Sequence, residues 1–139
     1  MIPAGCGIAC SGLLLTNAVT TSAMANIERF DKNERLSRIV VHNGTVYLSG
    51  LTADNKKNGT PDQTNEILEK AERLLASVGS DRSKLLFAQI WLRDVEDFDA
   101  MNKAWVTWLD GVEPPARATV GASFALPEIR VEIQLTAAI

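Results

Sequence analysis

At 139 residues the chain is long enough for one domain of ordinary size and too short for two substantial ones. Hydrophobic residues make up 46% and charged residues 22%, which excludes a disordered chain and, in bulk composition, a membrane protein. Lys and Arg number 14 against 17 Asp and Glu; the resulting formal charge of −3 gives no general attraction for phosphate backbones or anionic lipid, so neither nucleic acid nor a membrane is an expected partner.

The charge is unevenly spread. Residues 1–26 contain no Asp, Glu, Lys or Arg, and both cysteines, Cys6 and Cys10, lie there. The remainder therefore needs neither a disulfide framework nor a thiol nucleophile. Residues 8–19 are weakly apolar, and Ala23-Met24-Ala25 follows the small-x-small pattern of a signal-peptidase site. No positive charge precedes that stretch, however, and Cys10, Ser11, Gly12, Thr16 and Asn17 interrupt it well short of the ~20 residues a spanning helix needs. We read 1–26 as an uncharged leader, either upstream of a natural start at Met24 or an export signal, the missing basic segment favouring the first. Residues 27–139 form the folded part, expected in the cytoplasm. No Cys or His cluster accompanies Cys6 and Cys10, so a metal site is not expected there.

In chain order, residues 37–41 read as a strand, His42-Asn43-Gly44-Thr45 carries the Asn-Gly signal of a tight turn, and Val46-Tyr47-Leu48-Ser49 is the partner strand. Residues 54–62 have a loop composition, and Thr60-Pro61 can open a helix. Ile67, Leu68, Ala71, Leu74, Leu75 and Val78 then recur at helical spacing until Gly79 offers a left-handed cap. Residues 85–92 are apolar on both alternating sets, Leu86, Ala88, Ile90 and Leu92 against Leu85, Phe87 and Trp91, as in a strand buried on both faces. A second helix starts at Asp94 or Glu96, presents Phe98, Met101, Trp105, Trp108 and Leu109, and ends before Gly111 and Pro114-Pro115. Residues 117–124 and 130–137 read as strands separated by a turn at Leu126-Pro127. The order is ββαβαββ, an α+β sheet with two helices on one face.

Two helices cover only one face of such a sheet, while Phe87 and Trp91 ask for the other to be covered too. The expected cover is an identical subunit, with pockets at subunit boundaries. His42 has no second His or Cys beside it, so it reads as a solvated turn residue, and no metal set or Ser-His-Asp site is visible. Neither G-x-G-x-x-G nor a P-loop occurs, and no cofactor is expected. In Pro114-Pro115-Ala116-Arg117 a stiff turn delivers an arginine to a strand start, where its fork can bind a substrate carboxylate through two parallel charge-assisted hydrogen bonds. Glu132, between Val131 and Ile133, faces away from both and can act as a general acid or base. Both residues also fit ordinary solvated positions, and the local pattern leaves those alternatives open.

Pro115-Ala116-Arg117-Ala118-Thr119-Val120, then Leu126-Pro127, then Val131-Glu132-Ile133, closely resembles the C-terminal signature of the Rid (RidA/YjgF) reactive-intermediate deaminase family. Val46-Tyr47-Leu48-Ser49-Gly50, Leu92-Arg93-Asp94 and the run Asp97-Phe98-Asp99-Ala100-Met101-Asn102 agree in order. Phe98 through Trp105 and the Arg35-Leu36-Ser37 start look most like the YoaB-like branch. The likeness covers residues 27–139. It implies a chorismate-mutase-like homotrimer with clefts between subunits, and cofactor-free hydrolysis of enamines and imines such as 2-aminoacrylate and its 2-imino acid tautomer to a 2-oxo acid and ammonia. By the same resemblance Arg117 binds the substrate carboxylate, Glu132 handles the attacking water, and Ser49, Gly50, Asn102 and Thr119 line the site. Many active relatives have a Tyr near the first strand, where this chain reads Arg35-Leu36-Ser37-Arg38; Ser37 can supply a hydroxyl there, or Trp105 an aromatic wall. Two other functions compete with deamination: a non-catalytic trimer binding small carboxylates, and an endoribonuclease-like activity, which the acidic balance disfavours.

Overall fold

The computed structural model of the protein describes residues 26–139. The readings made of Cys6, Cys10 and the Met24 start lie outside the described residues. The sheet begins with a strand the residue pattern does not reveal, β1 (Glu28–Lys32). All of it is exposed, so no alternation between faces marks it. Asn33 turns the chain back, its side-chain oxygen accepting from the backbone N–H groups of Arg35 (2.8 Å) and Leu36 (3.0 Å).

Strands β2 (Ser37–His42) and β3 (Thr45–Leu48) form the expected hairpin. Asn43 and Gly44 both take positive φ, 49° and 73°, as a type I′ turn requires. His42 is the last residue of β2 rather than part of the turn, and half-buried: its Nδ1 lies 3.3 Å from the Asn26 carbonyl and its Nε2 3.2 Å from Asn43 Nδ2.

Helix α1 (Thr60–Ser77) buries Ile67, Leu68, Ala71 and Leu75, and Gly79 ends it at φ 82°. Strand β4 (Leu85–Leu92) carries a bulge at its start, because Leu85 pairs with Ala137 but Phe87 with Thr136. Leu86 is thereby turned outward and exposed, and Leu85 takes the buried position expected of it. A short turn, Val95–Asp97, capped by the Asp94 side chain, precedes helix α2 (Phe98–Trp108). Strand β5 (Ala116–Gly121) stops short of the predicted residue 124, and β6 (Val131–Ala138) closes the chain. The full order is βββαβαββ, one strand more than expected.

The six strands lie in the order β1-β2-β3-β6-β4-β5, antiparallel except for β4 with β5. One face is the core. Ile39 and Val41 of β2, Val46 and Leu48 of β3, Ala88, Ile90 and Leu92 of β4, and Val131, Ile133, Leu135 and Ala137 of β6 pack beneath Ile67, Leu68 and Leu75 of α1 and Met101 and Trp105 of α2. Each fully buried Leu or Ile among them contributes about 1.5–3 kcal/mol through removal from water. On the other face, cross-strand pairing groups Tyr47, Phe87 and Val120, which remain 46%, 41% and 47% exposed, with the half-buried Trp91. The two-sided burial expected of β4 is therefore not met within one chain.

Nothing lies near the position a Gly44 Cβ would occupy, so replacing this glycine tests the backbone alone. Gly44→Ala is expected to cost about 1–2 kcal/mol, the penalty of a left-handed residue with a Cβ, read as a lower midpoint in urea denaturation with an unchanged slope.

Candidate functional site

Arg117 is the second residue of β5 and shares a sheet side with Ala88, its partner on β4, so it points to the helix-covered face. There α2 receives it. Nη1 donates to Asn102 Oδ1 at 2.6 Å, and the guanidinium carbon lies 5.8 Å from the Phe98 ring centre and 5.7 Å from that of Trp105. The two rings, three and four residues from Asn102 along the helix, form a cation–π clamp. Among the described residues no carboxylate lies within ion-pairing distance. Burial without a counter-charge holds the guanidinium below its ordinary range, so an incoming carboxylate would relieve a cost already present.

Phe98, unlike Trp105, departs from the predicted helix stripe. Trp105 is 4% exposed and serves both core and clamp, whereas Phe98 stays 40% exposed, facing Arg117 rather than the core. Phe98 was missed as a site residue; its place four residues before Asn102 was the available signal.

Glu132 belongs to β6 and pairs with Trp91, on the uncovered face. Strand alternation thus sets Arg117 and Glu132 on opposite sides of one sheet. Beside Glu132 the edge of β3 is irregular: Tyr47 faces Thr136 while Leu51 faces Ile133, so four residues advance on one side against three on the other. This β-bulge carries Ser49 and Gly50 to the glutamate. A Cβ at Gly50 would run into the Glu132 carboxylate, which explains the glycine. Burial pushes the Glu132 carboxyl up from the usual carboxylate range.

The remaining candidates divide between these halves. Thr119 follows Arg117 on the same side of β5, and its hydroxyl is buried without a hydrogen-bond partner among the described residues; Ser49 Oγ, beside Gly50, is in the same condition. Buried unpaired hydroxyls cost about 1–3 kcal/mol each and are scarce in folded proteins. Ser37 opens β2, half-buried, and hydrogen-bonds to none of the other candidates. Gln63, read only as part of a helix, proves to be a fixing point for β6: Nε2 donates to the carbonyls of Asn58 and Glu128, both at 2.9 Å, and Oε1 accepts from the Arg130 N–H at 3.0 Å. It holds the chain two residues before Glu132.

The family model described as endoribonuclease L-PSP matches residues 26–139. A RutC family protein of Haemophilus influenzae is 40% identical over 112 residues, covering 80% of this chain and 97% of its own length. The RutC family protein YoaB of Escherichia coli is 39% identical over 113 residues, covering 81% and 98%. Among solved structures, a YjgF-family protein from Neisseria meningitidis is 41% identical with a TM-score of 0.77, covering 84% of this chain and 96% of that one.

The raised Glu132 pKa carries a sign. Below about pH 4.3 the side chain is neutral in folded and unfolded states alike; as pH rises the unfolded chain ionises first, so the folded state loses relative stability until the folded pKa is passed. Glu132→Gln removes that loss. The melting temperature of the variant minus that of the wild type should therefore climb between pH 4 and 7; a flat or falling difference would show that burial does not penalise this charge.

Proposed function

Because the chain belongs to the RidA/YjgF family, in its YoaB-like branch, we propose that it is a cofactor-independent hydrolase that deaminates 2-imino acids and their enamine tautomers, 2-aminoacrylate among them, to 2-oxo acids and ammonia. The observation that carries this reading is Arg117: a half-buried guanidinium, clamped by Phe98 and Trp105, held on one edge by Asn102 and, among the described residues, paired with no carboxylate. It is suited to orient a small carboxylate by two parallel hydrogen bonds.

The chemistry asks for little beyond orientation. A protonated imine carbon is already electrophilic, and a fixed carboxylate sets it against a positioned water. Glu132 takes a proton from that water as the C–O bond forms, giving a carbinolamine. The proton passes to the amine nitrogen, the C–N bond breaks as the carbinolamine hydroxyl gives its own proton to Glu132 and the C=O bond forms, and ammonia and the 2-oxo acid leave. A carboxyl that burial makes a stronger base suits this transfer. Ser49 and Thr119 hydroxyls and the Gly50 backbone border the two halves and supply polar contacts to substrate and water.

Since Arg117 and Glu132 occupy opposite faces of one sheet, a site using both takes them from two chains. The uncovered face with Tyr47, Phe87 and Val120 is the surface a neighbour would cover, and the arrangement we propose is a homotrimer with three clefts. The acidic balance of the chain gives no support to RNA cleavage.

Release of 2-oxo acid from imino acids made in situ by an amino-acid oxidase, with semicarbazide competing for the imine, tests the activity. Arg117→Ala is expected to lower kcat/KM by about 10–150-fold, the worth of hydrogen bonds to a charged group, and Glu132→Gln to lower kcat by about 10²–10⁴-fold. Equal inertness of wild type and variants would leave the non-catalytic carboxylate-binding trimer as the better account. The shared cleft has its own test. Unfolding and refolding the two inactive variants together at equal amounts should restore about a quarter of wild-type activity, because one site in four pairs an intact Arg117 with an intact Glu132; no restoration would place both groups in one chain's site.

A further inference from the structure

Where the start of β2, the segment after the Gly50 bulge and α1 meet, a cavity of about 340 Å³ opens to solvent. Its wall carries three cations, Arg38, Lys70 and Arg73, against one carboxylate, Asp54. This concentration of positive charge sits in a chain whose formal charge is −3. The floor is apolar, formed by the buried Leu51 and by Leu74, and charges above a low-dielectric floor act more strongly than on an open surface.

The cations are not equally engaged. Lys70 Nζ donates to the Thr52 carbonyl and pairs with Asp54, each at 2.8 Å, with Glu66 at 3.7 Å. It fixes the wall. Arg38 has only Asp31, at 3.9 Å, and Arg73 forms no hydrogen bond or ion pair among the described residues. The positive field reaches Asp54, whose carboxyl is held below its usual range by the hydrogen bond from Lys70, with Lys56 and Arg38 adding to the effect.

We propose that this cavity is a second anion site, separate from Arg117, that takes a phosphate group. Two bidentate guanidinium forks already fill the roughly four lone-pair sites of a carboxylate, whereas three terminal phosphate oxygens can receive both forks and still accept a further donor. The site does not rest on the deaminase reading.

Isothermal titration calorimetry of the full chain with inorganic phosphate, at fixed ionic strength and with acetate as the comparison anion, tests it. Saturable phosphate binding is expected, weakened about tenfold or more in Arg73→Gln and in Arg38→Gln, since each removes charge-assisted hydrogen bonds. Arg117→Ala should bind phosphate as the wild type does, and acetate should not compete at equal concentration. Phosphate should also protect Arg38 and Arg73 of the wild-type protein from phenylglyoxal, a reading that needs no substitution. Absence of saturable binding on the order of 10 mM phosphate, or loss of binding in Arg117→Ala with Arg73→Gln unaffected, would overturn the proposal.

Discussion

Strand β6 joins two halves of sheet that otherwise share no pairing: β1, β2 and β3 on one side, β4 and β5 on the other. Val131, Ile133, Leu135 and Ala137, none with measurable exposure, turn to the helices, so the intervening residues must turn the other way. That parity leaves Glu132 no choice of face. It also ties the acid to the core, since rotating the strand to bring Glu132 beside Arg117 would expose four core side chains at once. Gln63 secures the same strand at its start, and the Leu51 bridge secures it on the Glu132 side.

Around Arg117 the balance differs, because the guanidinium gives up water without gaining a carboxylate. What compensates is spread over weak partners: two ring faces and one amide oxygen. Asn102 occupies a single Nη, and the rings approach the guanidinium carbon at 5.8 and 5.7 Å without hydrogen-bonding its nitrogens. Such an arrangement keeps the fork aligned before any ligand arrives, so binding need not spend its energy ordering a long side chain.

Much of this was legible in the residues. Asn43-Gly44 specified its turn, the α1 stripe from Ile67 to Leu75 specified its buried face, and Arg117, Glu132, Gly50 and Asn102 stood out through the family signature. What escaped were features that depend on partners distant in sequence. The exposed β1 has no periodicity to read; the bulges at Leu86 and at Ser49-Gly50 appear only once β6 supplies a register. Phe98 fits a helix stripe by spacing, yet its ring is taken by a cation from another strand. The opposition of Arg117 and Glu132 needs the β6-β4-β5 registers together, and no local pattern contains them.

One of the two edge strands of the sheet, β1, has a further consequence. In β1 only Phe30 is uncharged, and Asp31 adopts a positive φ of 52° within it. Charges along the ribbon and a local distortion oppose the docking of another strand. Growth by strand addition at this edge, which has no natural stopping point, is thereby discouraged, while the apolar surface carrying Phe87 and Tyr47 lies on the broad side of the sheet. The proposed homotrimer would use that broad side, and the charged, distorted edge at β1 is left poorly suited to further strand pairing.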